Sequence, residues 1–143
     1  MRMPFDTPTI RQLRTTLRAN AGFSLAGGAM LVTAGWFLAG PWDLGPPWLP
    51  PAVGVAVAGF GLLTARLTGA PQRRLRRGAV LVTAADLAWV TGSAALLIWH
   101  RPSPAAAVAT TVAAGAVAAF AVRQIATLRA GLPAVRAESR SVL

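Results

Sequence analysis

Four long apolar runs divide the chain and leave few folds open to it. They cover about residues 21–40, 51–67, 79–98 and 104–122. A helix that crosses a bilayer needs about 20 apolar residues, with a lower limit near 17, and in lipid only helices and closed barrels satisfy their own backbone. Turn-rich stretches separate the runs, the clearest being PWDLGPPWLPP at 41–51. The pattern predicts an all-α fold, a bundle of four transmembrane helices.

Composition supports this interpretation and excludes several chemistries. The chain is 55% hydrophobic and only 13% charged, and its mean hydropathy is +0.54, which is outside the range of ordinary soluble domains. The absence of cysteine rules out disulfides, thiolate metal sites and dithiol redox chemistry. One histidine, His100, cannot hold a haem from both sides within a single chain. We therefore expect no cofactor and no metal.

The distribution of arginine predicts the orientation. All 14 basic residues are arginine, and all but Arg101 fall on the same side of the predicted spans. Basic loops face the cytoplasm, so both termini are predicted to be cytoplasmic, in the inner membrane of a bacterium, where arginine without lysine suggests a GC-rich genome. The basic charge is explained by its role in orienting the helices in the lipid bilayer, so no nucleic acid partner is expected. The thirteen are Arg2, Arg11, Arg14, Arg18, Arg66, Arg73, Arg74, Arg76, Arg77, Arg123, Arg129, Arg136 and Arg140.

Three regions follow from this division. Residues 1–20 are predicted to form a short amphipathic helix in the headgroup layer, with Thr7 and Pro8 at its start. One face carries Ile10, Leu13 and Leu17, and another carries Arg11, Arg14 and Arg18. Residues 21–128 form the transmembrane domain, and residues 129–143 a cytoplasmic tail.

Asp86 is the leading candidate for a functional residue. It lies eight residues past Gly78, roughly 12 Å into the bilayer at about 1.5 Å per residue. A charged aspartate there costs at least about 2.5 kcal/mol unless it is partnered. Trp89 and Ser93 share its helix face, Asn20 and Ser24 lie at similar depth, and Arg66 and Arg123 are expected to reach inward. The set forms either a proton, cation or substrate site or a structural polar contact.

Small residues indicate where helices approach closely. In the fourth run, Ala107, Thr111, Gly115 and Ala119 recur at four-residue spacing, a pattern typical of membrane helix contacts. The second run offers Gly54, Gly59 and Gly61 for the same purpose.

Two segments carry a resemblance. LRANAGFSLAGGAML in the first span and AADLAWVTGSAALL in the third resemble a group of uncharacterised small bacterial four-helix membrane proteins. The matching residues are Asn20, Phe23, Ser24, Asp86, Trp89, Gly92 and Ser93. The resemblance brings no activity with it, and it implies that Asn20 and Asp86 belong to one polar cluster.

Three functions remain open at this point. The first is a noncatalytic bundle that binds a lipid-like ligand or a membrane partner, including a homo-oligomer or a larger complex. The second is a membrane-embedded cyclase or isomerase that acts on a hydrophobic small molecule, with Asp86 as general acid or base. The third is a proton-coupled small exporter, although the first span lacks the acid that such exporters carry. The sequence ranks the noncatalytic bundle first because it offers so few reactive side chains.

Overall fold

The computed structural model describes residues 8–43 and 45–130. They form four helices, α1 (Pro8–Leu38), α2 (Leu49–Leu67), α3 (Gln72–Trp99) and α4 (Pro104–Ala130). Each helix is long and apolar enough to cross a membrane. The prediction of an all-α fold with four helices suited to crossing a membrane is confirmed. Thr7 and most of the predicted tail lie outside the described residues.

The helices extend further than the predicted spans, and this corrects the division at residue 20. α1 runs without a break from Pro8 to Leu38, so the lead-in forms no separate element within the described residues. α3 begins at Gln72 instead of residue 79, and α4 continues past residue 122 to Ala130. Arginine is a good helix former, so α3 already includes Arg73–Arg77 before its apolar run, and α4 continues through Arg123 after its own.

α1 and α2 form an antiparallel hairpin held at glycine. A Cβ on Gly28 would lie 2.6 Å from the backbone nitrogen of Ala58 and 2.7 Å from the carbonyl oxygen of Gly54, and one on Gly61 would lie 3.0 Å from the carbonyl oxygen of Ala21. Backbones that meet this closely tolerate no side chain. Gly59 is different, since nothing lies within 4 Å of a Cβ placed there. Close approach was therefore predicted correctly for Gly54 and Gly61 but wrongly for Gly59 within this chain.

The apolar core lies at one end of the bundle, where α1 and α3 begin and α2 and α4 end. We call this the basic end, because the described arginines other than Arg101 surround it. The core comes from the first turns of α1 and α3, whose buried faces meet across the bundle there, and Phe60, Leu67 and Leu128 pack against it. Its buried members are Ile10, Leu13, Leu17, Leu75, Ala79 and Val82. The segment predicted to lie in the headgroup layer thus supplies half of the core.

Arg14, predicted to lie in the headgroup layer, also contacts another part of the chain. Its guanidinium is half-buried and donates hydrogen bonds to the backbone oxygens of Thr68 and Ala70, the latter at 3.1 Å. These oxygens follow the C-terminus of α2, where a cation complements the helix dipole. Arg14 therefore fastens the turn between α2 and α3 to α1.

Two further contacts close the ring of helices. Phe23 of α1 and Phe120 of α4 meet edge to face with ring centroids 5.9 Å apart. At the end opposite the basic end, the His100 Nε2 group donates to the backbone oxygen of Asp43 over 2.9 Å, which joins the two outer turns. α1 lies against both α2 and α4, and α3 lies mainly against α4 and more weakly against α2.

Candidate functional site

Asp86 lies on the buried face of α3. Leu75, Ala79, Val82 and Asp86 follow one another at spacings of three and four residues and are all buried, as expected for one face of a helix. Only 2% of the Asp86 surface is exposed. The residues that bury the core therefore also carry the acid into the bundle.

Asn20 meets Asp86 from α1. It follows Leu13 and Leu17 on the buried face of that helix and is itself fully buried. Its Nδ2 group donates to Asp86 Oδ2 over 2.8 Å. The Ser24 hydroxyl lies one turn further along, 3.5 Å from Asn20 Oδ1. The expectation that Asn20 and Asp86 share a cluster agrees with this geometry.

Gln124 completes the network from α4, and the sequence interpretation missed it. Its Nε2 group donates to Asp86 Oδ2 over 3.1 Å, and Gln124 is fully buried. The Thr83 hydroxyl lies 2.6 Å from Gln124 Oε1 and 2.8 Å from the backbone oxygen of Ala79. Because an ionised carboxylate only accepts hydrogen bonds, the amide turns its Nε2 group to Asp86 and its Oε1 atom to the Thr83 hydroxyl.

The network has a simple electrostatic logic. Two neutral amides, from Asn20 and Gln124, converge on one oxygen of Asp86. They replace water around the acid without introducing a second charge, and hydrogen bonds to an ionised group are stronger than those between neutral groups. Since the three side chains belong to α1, α3 and α4, the network joins three of the four helices.

The two arginines predicted to reach Asp86 do not join it. Arg66 and Arg123 are both exposed at the basic end. Arg123 precedes Gln124 in the sequence, so the inward position on α4 belongs to the amide and the outward position to the cation. A guanidinium can extend to the headgroup layer from there, which costs less than burial.

The two remaining site candidates, Ser93 and Trp89, differ in their exposure. Ser93 is buried at 8% exposure, on the same face of α3 as Asp86, whereas the Trp89 side chain is 39% exposed. Trp89 is therefore neither a full member of the core nor enclosed beside the acid within the described residues.

One further polar atom is buried near this level. Thr64 of α2 is only 1% exposed, and its Oγ1 atom has no hydrogen-bond partner in the part of the chain that the structure describes. It lies one turn from Gly61, which packs on Ala21.

The small-residue stripe of α4 faces outward. Thr111, Gly115 and Ala119 are exposed, and nothing lies within 4 Å of a Cβ built on Gly115. The inward face of α4 instead carries Val117, Ala121 and Gln124. Among residues 8–43 and 45–130, no helix therefore packs closely on the stripe at Gly115.

Comparison with protein-family models, curated proteins and solved structures found no match. The resemblance described above therefore stays a prediction. Within the described ranges, no three histidine, cysteine or acidic side chains are grouped so that they could hold a metal ion.

Proposed function

We propose that the protein is a noncatalytic helical bundle of a bacterial inner membrane, with both termini in the cytoplasm, that binds a second membrane protein side by side. One observation carries the proposal: the Oδ2 atom of Asp86, the strongest candidate for acid–base chemistry among the described residues, accepts hydrogen bonds from Asn20 and Gln124. An acid held by two amides and 2% exposed suits the joining of helices better than proton exchange with a substrate.

Contacts within the chain show how one of its helices could bind a helix of a partner. Where α1 and α2 meet, small residues let the backbones touch, as at Gly28 and Gly54. α4 presents the same kind of surface at Thr111, Gly115 and Ala119, but this surface is exposed. The partner that we propose is a second copy of this chain, because a stripe of small residues on one helix is complementary to itself about a two-fold axis.

The experiment is a measurement of self-association in lipid nanodiscs or liposomes, by energy transfer between two populations of labelled protein. Gly115→Leu is expected to abolish the transfer without unfolding the protein, because the space around Gly115 is open. Gly59→Leu is the matched control, since Gly59 is also an exposed helical glycine with open space around it. Equal transfer in all three proteins, or a loss confined to Gly59→Leu, would overturn the proposed interface.

The acid–base alternatives are tested separately at Asp86. Infrared difference spectra of the reconstituted protein, with Asp86→Asn as control, report whether the carboxyl group changes protonation. A carboxyl band that changes when hydrophobic compounds are added would favour a cyclase, an isomerase or an exporter over a noncatalytic bundle. We expect a band that does not respond.

A further inference from the structure

The turn between α2 and α3 carries a concentration of positive charge. Arg66 lies in the last turn of α2, and Arg73, Arg74 and Arg77 lie in the first two turns of α3. All four side chains are exposed. We call these four residues the turn arginines.

Nothing acidic in the described residues compensates them. The chain has four acidic residues, of which Asp86 is buried in the network and Asp43 lies at the opposite end; Asp6 and Glu138 lie outside the described residues. The backbone oxygens of Thr68 and Ala70 already accept hydrogen bonds from Arg14, so Arg14 and the half-buried Arg76 add two more positive charges beside the turn.

The position of Arg73 and Arg74 makes this charge costly. They occupy the first turn of a 28-residue helix, which has no acidic residue in that turn and no side-chain cap. Cations are unfavourable at a helix N-terminus, and anions are favourable there. An external anion would offset both the mutual repulsion of the arginines and their repulsion by the helix dipole.

One exposed face of α3 favours a lipid over a soluble anion as the ligand of these arginines. Arg73, Arg77 and Leu81 follow one another at four-residue spacing, opposite the buried Leu75. Leu81 is 72% exposed. Ala84 and Ala88 are exposed as well and continue the face as a smooth apolar surface. The positive charge of Arg73 and Arg77 matches an anionic headgroup, and the apolar surface that follows them along α3 matches an acyl chain.

We propose that Arg73 and Arg77 bind the phosphodiester headgroup of an acidic phospholipid whose acyl chain lies along Leu81, Ala84 and Ala88. The guanidinium group presents paired donors that fit two phosphate oxygens at once. Arg66 and Arg74 flank the headgroup and add to its attraction. This site is independent of self-association through α4.

The test uses the full chain, reconstituted in nanodiscs that contain equal amounts of phosphatidylglycerol and phosphatidylcholine, and measures the retained lipid by native mass spectrometry. The wild type is expected to retain phosphatidylglycerol selectively. The double variant Arg73→Gln/Arg77→Gln is compared with Arg11→Gln/Arg18→Gln, which removes the same charge from exposed positions on α1. We expect the first variant to retain at least about fivefold less phosphatidylglycerol than the second, the factor that corresponds to roughly one surface arginine.

Two further arms keep the result interpretable. Leu81→Ala keeps every charge and should still lower retention, since it removes the acyl-chain contact. Glycerol phosphate added in excess should not displace the lipid. Equal losses in the two double variants would reduce the effect to general charge attraction and overturn the proposal, and full displacement by glycerol phosphate would overturn its lipid part. Each double variant keeps eleven of the thirteen arginines predicted for the cytoplasmic side, against Arg101 alone on the other side. The positive-inside bias therefore persists in each variant.

Discussion

The side-chain amide of Asn20 on α1 donates to Asp86 Oδ2 on α3 over 2.8 Å, across the bundle between two helices that run in parallel. The Gln124 amide donates to that same oxygen from α4. The consequence is that one acceptor atom holds three helices. The predictions below begin with that atom.

Because both donors meet Oδ2, an asparagine at position 86 can present its single carbonyl oxygen to both of them. Asp86→Asn should therefore stay folded and lose about 1 kcal/mol, since hydrogen bonds to a charged acceptor are worth more than those to a neutral one. Asp86→Leu should lose about 1–3 kcal/mol more, because it leaves two buried amides without an acceptor. Unfolding in mixed micelles, followed by circular dichroism, measures the difference. Equal stability of the two variants would show that the network contributes little.

Thr83 can be tested with a matched control on its own helix. Its hydroxyl contacts Gln124 Oε1 at 2.6 Å, whereas the exposed Thr91 bonds only to the backbone oxygen of Leu87 among described partners. Thr83→Val should cost about 0.6 kcal/mol, the average for a hydrogen bond between membrane helices. Thr91→Val should cost less. The same unfolding measurement applies, and a larger loss at Thr91 would contradict the assigned role of Thr83.

The neighbouring glycines Gly27 and Gly28 separate packing from helix propensity. A Cβ on Gly28 would lie 2.6 Å from the Ala58 backbone, whereas one on Gly27 would meet nothing within 4 Å. Gly28→Ala should destabilise the bundle by about 1–3 kcal/mol, as expected for overpacking. Gly27→Ala should be neutral or slightly stabilising, because alanine is the better helix former. If the two variants unfold alike, α1 and α2 do not meet at Gly28.

Arg14 should matter more than the exposed Arg18 one turn later. Arg14→Gln removes hydrogen bonds to the backbone oxygens of Thr68 and Ala70, and hydrogen bonds to charged groups contribute about 1.5–3 kcal/mol each. We expect faster proteolysis in the turn at residues 68–71 and a lower unfolding temperature. Arg18→Gln removes the same charge and should change neither quantity. Similar proteolysis in both variants would mean that charge alone, and not the contact with the turn, explains the effect.

The sequence was sufficient for the four helices, because lipid imposes a length on each apolar run. The cost of an unpartnered acid predicted only that Asp86 has partners, and the cluster of Asn20 with Asp86 was implied by the resemblance alone. The sequence was insufficient for Gln124. Arg123 marks the end of an apolar run, and one step of about 100° around the helix separates an arginine that faces water from an amide that faces the core.

The rotation of each helix caused the other errors. The spacing of Ala107, Thr111, Gly115 and Ala119 identifies a face, but not what that face touches. Arg11 and Arg18 are exposed while Leu13 and Leu17 are buried, and the same alternation describes a helix against lipid headgroups and a helix against another helix. The two cases are distinguished only by the position of α3, which packs against the apolar face of α1.

The position of the core also sets an order of events during synthesis. α1 and α2 can pair through Gly28 and Gly54 as soon as both exist, since their contact uses only the first half of the chain. Ile10, Leu13 and Leu17 can be buried only after Leu75, Ala79 and Val82 have been synthesised. When α3 is inserted, the Asn20 amide is already present to bind Asp86, whereas Gln124 has not yet been synthesised. α4, which is synthesised after the other three helices, therefore supplies the second amide, and the native arrangement of α1, α2 and α3 is complete only when α4 has arrived.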